Sequence, residues 1–412
     1  MNKKFWIAWF QLAVVAAAAP FFLFPSLKNA WVFAVVFALL AVCCVLKGGL
    51  LERTPIDWSL GILFMMILAS CFRVPDIGFS LPKIAGLLFG LVVFYSLQEV
   101  LNSEKVLKIT VNGYFAAGIG LGVFGLMGMM LSSIEAPFVK TVSKIFKILP
   151  KTNWKLPGAE WGFNPNPLGG TLLLIIPLGI VLWIHYRKQI AGYMTYAAGS
   201  MVLFMVIFLT QTYGAWISLL ISLWILAFGP KLKKWSLLAF GLAMIVIFFV
   251  QVHTISAIPA MVQKNVLKTK IEQRYPFWSA GIKAIVLHPF FGVGLNRLRL
   301  DPEIGQEASH AHNQLIHTAA ELGISALVAY LAILIGLGWM CREICRKAAV
   351  GWMRTAARGL GAGQLAFFLF GMGDAVPLGT KPGILFWISL AIIAALYNHV
   401  IRNCKEKVYT HD

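Results

Sequence analysis

The sequence predicts an all-α protein that crosses a membrane about twelve times, and three observations carry that prediction. Of its 412 residues 59% are hydrophobic and only 12% charged, a balance that excludes a water-soluble globule. Mean hydropathy is +0.79, and the apolar residues fall into runs of membrane-crossing length separated by short polar turns. Lys and Arg collect in every second turn.

Taken in order, the spans are expected near residues 5–24, 30–46, 58–72, 84–101 and 109–130, then 168–185, 191–209, 215–228 and 235–251, and finally 324–340, 359–376 and 382–399. Several are shorter than the ~20 residues of a straight crossing, so their ends extend into polar flanks or are sheltered by neighbours. The first begins directly after Met1-Asn2-Lys3-Lys4 with no small-residue cleavage site, as in a retained signal anchor. Two long segments interrupt the series, 131–167 and 252–323, and no soluble domain, internal repeat or low-complexity tract accompanies them.

A net charge of +19 would suit nucleic acid, but topology absorbs it. With the N-terminus inside, inner turns hold 19 Lys and Arg, and the short outer turns hold only Lys28, Arg73, Lys83 and Lys381. This bias places both termini in the cytoplasm and both long segments outside. The cysteines suggest neither disulfides nor zinc: Cys43, Cys44 and Cys71 lie in spans, Cys341, Cys345 and Cys404 on the reducing side, and Cys341 and Cys345 have no companion ligands. Walker, His-Glu-x-x-His and outer Asp-x-Asp patterns are absent, so a reaction here draws its energy from its substrate.

The first long segment opens as an amphipathic helix, with Phe138, Val142, Ile145, Phe146 and Leu149 against Lys140, Lys144, Lys147 and Lys151. Such a helix either anchors to anionic lipid or grips substrate phosphates. It is followed by Asn164-Pro165-Asn166-Pro167, a helix start whose backbone N–H groups suit an anion.

The second long segment is a polar island holding His253, His288, His310, His312 and His317. A polar connector at 265–270 is expected to lead into a helix beginning at Tyr275-Pro276, with Arg274 at its start and Trp278, Ile282 and Val286 on one side. Gly292 and Gly294 follow His288-Pro289 and allow close approach of a ligand or a neighbouring helix. Asp301, Glu303 and Glu307 read as a solvated acidic patch rather than metal ligands. Residues 309–322 predict one helix, with His310, Asn313 and His317 on one face and His312 apart from them. A single histidine there would be an ordinary surface or core residue, but His312-Asn313 sits in a richer pattern. Near the end, Asp374 can orient a histidine or a sugar hydroxyl, or simply sit in a loop at a helix end.

That pattern resembles the O-antigen ligase and polymerase superfamily, bacterial polytopic enzymes acting on lipid-diphosphate-linked glycans. Three pieces carry the likeness: Arg274, Trp278, His288-Pro289 and Gly292-Val293-Gly294 in sequence; His312-Asn313 followed, after nine intervening residues, by Gly323; and Asn164-Pro165-Asn166 at the start of a span. Ala326 stands where the ligases have Gly, Thr or Tyr, and Thr212-Tyr213 stands where the family usually has Ser-Arg. The second departure removes a cation that Arg297 or Arg299 would have to replace, while Tyr213 keeps a hydrogen-bond donor.

The resemblance implies a GT-C-like architecture and a metal-independent, inverting glycosyltransferase at the outer face of the bacterial cytoplasmic membrane, without a cofactor. Its expected partners are a polyprenyl-diphosphate-linked glycan donor, a glycan or glycolipid acceptor and membrane lipids. Arg274, Arg297, Asn164 and Asn166 would hold the donor diphosphate, and His312 would act as general base or as a diphosphate ligand, supported by His310, Asn313 and Tyr213. Ligation and repeat-unit polymerisation differ only in the acceptor. A transporter would need charged spans and two similar halves, which the sequence lacks, and a scaffold leaves the Arg and His cluster unexplained.

Overall fold

The computed structural model describes residues 3–47, 52–74, 76–131, 165–210, 212–228, 266–298, 300, 304 and 310–409. Among them are fourteen α-helices and two short 3-10 turns, with no strand. Helices α1 (Lys3–Leu23), α2 (Trp31–Leu46), α3 (Asp57–Cys71), α4 (Ile77–Val100) and α5 (Glu104–Leu131) are followed by α6 (Pro165–Leu172), α7 (Ile176–His185), α8 (Ile190–Thr210) and α9 (Tyr213–Phe228). Then come α10 (Val266–Leu287), α11 (Gln314–Leu322), α12 (Ile324–Lys347), α13 (Gly351–Gly371) and α14 (Ile384–Tyr409).

Eight helical segments among the described residues are long and apolar enough to cross a membrane: Phe5–Leu23, Leu27–Leu46, Ile77–Val100, Glu104–Met127, Asn166–His185, Ile190–Thr210, Ile324–Lys347 and Lys381–Cys404. The expected spans 58–72 and 215–228 coincide with shorter apolar helices, Asp57–Cys71 and Tyr213–Ala227. The expected span 359–376 overlaps α13, which starts earlier and carries Arg354 and Arg358. Span 235–251, the amphipathic stripe of 138–149, Asn164, His253, Arg299 and the acidic residues Asp301, Glu303 and Glu307 lie outside the described residues. The described residues are thus all-helical apart from their turns, and their apolar helices are those of a multi-pass membrane protein.

Lipid is as apolar as leucine, so helices in a bilayer associate through close packing and shared polar contacts rather than through water exclusion. The core follows that rule. Helices α4 and α14 pack along their length with α12 and α13 beside them, burying Phe94, Tyr330, Phe386 and Trp387 almost completely. Pro177 removes one helical N–H, and the span 168–185 accordingly divides into α6 and α7 around Leu173, Leu174 and Ile175, all fully buried.

The bundle has two chemically different ends. At one, Trp352 Nε1 donates to Glu104 at 2.8 Å, Arg402 pairs with Glu52 at 2.7 Å, Lys108 lies 5.7 Å from the Tyr186 ring centroid, and Lys47 meets Glu99. Turns expected to share a face therefore do so, and they carry most of the basic residues. The other end gathers the start of α4, the start of α6, α10, α11 and the loop after α13.

Two local expectations change. The connector at 265–270 is helical from Val266, so Arg274 and Pro276 lie inside α10 rather than at its start. Lys83 is not in a turn: α4 begins seven residues earlier than the apolar run suggests, because Asp76 caps Gly78 N at 2.9 Å.

Candidate functional site

The site grows from the first residues of α11. Asn313, extended at φ −152, is the N-cap, its Oδ1 accepting from Leu315 N and Ile316 N. Gly323, at φ +86, stops the helix, and a Cβ there would overlap the backbone of Phe290. The nine residues between Asn313 and Gly323 are therefore α11 itself. The motif's spacing is a helix length, set by one cap and one stop.

Because the helix begins only at Gln314, His310 and His312 belong to the preceding loop, which corrects the expectation of one helix over 309–322. His312 has φ +46, a conformation that costs a non-glycine residue energy and calls for local compensation. Its backbone N–H donates to His310 Nδ1 at 3.2 Å, and the two rings lie 3.8 Å apart. His312 is thus not separated from His310; the two imidazoles are in contact, tilted 49° to one another. His317, buried in α11, lies one ring further back at 6.3 Å from His310.

Helix α10 approaches this loop closely. Ala280, Gly281 and Ala284 are small, and a Cβ on Gly281 would overlap Ile316. One turn apart on α10, Arg274 and Phe277 are delivered to the same place, with Phe277 5.1 Å from His312. Gly292 and Gly294, at φ +65 and +98, turn the chain against the end of α11, where Val293 N and Gly294 N bond the carbonyls of Ala320 and Glu321. Of the two uses open to these glycines, Gly292 serves packing against a neighbouring helix.

Asp374 joins these pieces. It is 6% exposed and accepts from His312 Nδ1 at 3.0 Å and Ala375 N at 2.9 Å through Oδ1. Through Oδ2 it accepts from Asn166 Nδ2 at 3.1 Å, with Arg274 Nη2 at 3.6 Å. Asn166 in turn accepts from Thr212 Oγ1 at 3.3 Å, and Asn313 Nδ2 ties the loop to Met372 O at 2.9 Å. Burial pushes the Asp374 carboxyl up, but the hydrogen bond and charge of His312, the Ala375 N–H and Arg274 together hold it below the usual range. In sequence Asp374 is either a partner for a histidine or sugar hydroxyl or a plain loop residue, and only the fold shows it to be the centre.

Burial, reinforced by His312 and His317, pushes His310 down to about 3, so its imidazole is neutral. His317 is likewise pushed well below its usual value by burial and Lys83. Behind it lies an ionic group that sequence reading missed: Lys83 Nζ is 2.8 Å from Glu321 Oε1 and 3.3 Å from His317 Nε2, and Asn296 N donates to the same carboxylate at 3.0 Å. Burial pushes the Glu321 carboxyl up against the pull of Lys83 and Asn296.

Of the other expected residues, Tyr213 is half-buried at the start of α9, next to Thr212. Arg297 is not brought to Asp374: its Nη1 donates to the Arg73 carbonyl at 2.9 Å. Among the described residues, His310, His312 and Asp374 place one ligand atom each within 4.8 Å of one another, close enough for a metal ion. Their bonds argue otherwise. Both carboxylate oxygens and His310 Nδ1 are already accepting, and the Arg274 guanidinium beside Asp374 opposes a second cation.

What the arrangement offers is an imidazole held through Nδ1 by an ionised carboxylate, with a guanidinium on the carboxylate's far oxygen. No curated protein matches the chain. Residues 198–331, which include Arg274, His312 and Gly323, match the family model described as O-Antigen ligase, a similarity to the O-antigen ligase and polymerase superfamily.

Proposed function

We propose that this protein transfers a glycan from a polyprenyl diphosphate to a sugar hydroxyl of an acceptor, with inversion and without a metal, at the extracytoplasmic face of a bacterial cytoplasmic membrane. The observation that carries the reading is the His312 Nδ1–Asp374 Oδ1 bond at 3.0 Å. With Asp374 ionised, Nδ1 keeps its proton and Nε2 is the basic nitrogen.

In this reading the acceptor hydroxyl gives its proton to His312 Nε2 as its oxygen bonds the anomeric carbon. The bond from that carbon to the diphosphate oxygen breaks, and the diphosphate leaves with the electron pair. Asp374 stabilises the imidazolium so formed. Arg274, one-third exposed, presents the unspent part of its planar fork to the diphosphate, beside the first turn of α6 with Asn166, and Asn164 is assigned to the same diphosphate.

Twelve spans, a GT-C-like arrangement and cytoplasmic termini belong to the same reading, supported by the basic turns converging on the end of the bundle opposite His312. We adopt ligation over repeat-unit polymerisation, from which it differs only in the acceptor. Transfer measured in membranes with a lipid-diphosphate glycan and a sugar acceptor tests the proposal: Asp374→Asn, which changes the tautomer demanded of His312, should abolish turnover while donor binding persists. Full turnover in that variant would refute the assignment.

A further inference from the structure

Arg297, set apart from Asp374, belongs to a second cationic group. Arg73, just past the end of α3, donates through Nη2 to His288 Nδ1 at 2.9 Å, and Arg297 Nη1 bonds the carbonyl of Arg73 at 2.9 Å. Gly294 makes the convergence possible: a Cβ there would sit 3.0 Å from Val74 Cγ2, with Arg73 Cβ and Arg297 Cδ at 3.5 and 3.6 Å. Each guanidinium has five N–H donors, and these bonds use only part of them. No carboxylate lies within ion-pair distance of either among the described residues. Asp76 lines the same hollow as Arg297, but its Oδ1 is engaged by Gly78 N at 2.9 Å.

Two further observations say what this group faces. It lies at the end of the bundle away from the basic turns, where the membrane charge bias offers no reason for arginine. Beside it project Phe72, 92% exposed, and Phe290 and Phe291, 72% and 52% exposed. Bare aromatic rings next to guanidinium groups at the end of a membrane bundle match the boundary between acyl chains and phosphate headgroups.

We propose that Arg73, His288 and Arg297 bind the phosphate of a net-anionic phospholipid's headgroup, with Phe72, Phe290 and Phe291 seated against its acyl chains. The planar forks of the two arginines suit the oxygens of a phosphate, and the site is independent of the transfer reaction proposed above.

The test uses full-length protein in nanodiscs of equimolar phosphatidylglycerol and phosphatidylcholine, with p-benzoylphenylalanine replacing Phe291. Photo-adducts should be enriched several-fold in phosphatidylglycerol, and the enrichment should vanish in the Arg73→Gln/Arg297→Gln protein. The Arg73→Lys/Arg297→Lys protein, which keeps the charge, should regain part of it; a merely misfolded one would not. Adducts in the bilayer's own proportions, or enrichment that survives the Gln substitutions, would overturn the site. Millimolar inorganic phosphate should leave the enrichment intact, and its abolition would assign the site to free phosphate and overturn the lipid source.

Discussion

His312 and Asp374, 62 residues apart in the chain, meet through Nδ1 and Oδ1 at 3.0 Å. Neither position is fixed by its own helix: His312 is held in a left-handed conformation before α11, and Asp374 sits in the loop after α13. Four further groups keep them together, namely Ala375 N, Asn166, Arg274 and the Asn313 amide on Met372 O.

Arg274→Lys keeps a charge near Asp374 but loses the planar fork. If the fork holds the diphosphate, the variant should lose most transfer activity while its thermal unfolding in detergent shifts little. Activity equal to wild type in both Arg274→Lys and Arg274→Ala would remove Arg274 from the donor site.

Acid should destabilise the protein through His310. The folded protein keeps this imidazole neutral down to about pH 3, whereas the unfolded chain protonates it near ~6.5. Protons are therefore taken up on unfolding, so stability is flat above ~6.5 and falls as pH drops towards about 3. His317, pushed down too, adds the same sign, and depressed Asp374 extends the loss at lower pH. Melting temperatures measured across this range should fall less steeply for His310→Asn. Parallel curves would show that His310 is not held neutral.

Removing Lys83 should be costly because Glu321, 3% exposed, would lose its counter-charge. Breaking such a buried pair costs roughly 3–5 kcal/mol, and replacing both partners by apolar groups costs far less. Lys83→Met should thus lower the folded fraction sharply, with Lys83→Met/Glu321→Leu recovering much of it. Equal melting temperatures for the single and double variants would rule out the pair as a support for α11.

Much of this was legible in the sequence, for physical reasons that differ by element. Apolar runs revealed the eight membrane-length helices among the described residues, and the charge bias grouped the turns that Trp352, Glu104, Arg402 and Glu52 bring together. Helix α11 was located but begun too early, because His310 and His312 fit a helical pattern while Asn313 prefers to cap it. Asp374 was visible only as an isolated acid; its role depends on Asn166, Arg274 and His312, which lie far away in sequence. Lys83 read as a turn residue because a lone lysine says nothing about a glutamate 238 positions later. Arg297 was grouped with Arg274 as a replacement for the cation missing at Tyr213, and the turn at Gly292 and Gly294 carries it to Arg73 instead.

The most direct test of the account is glycan transfer by His312→Ala in membranes, with and without EDTA. A general base contributes ~10²–10⁴-fold in rate, so transfer should fall by that order while protein level and donor binding hold, and EDTA should leave the wild type unchanged. Transfer that persists in His312→Ala but collapses with EDTA would contradict the account and assign the His310, His312 and Asp374 group to a metal.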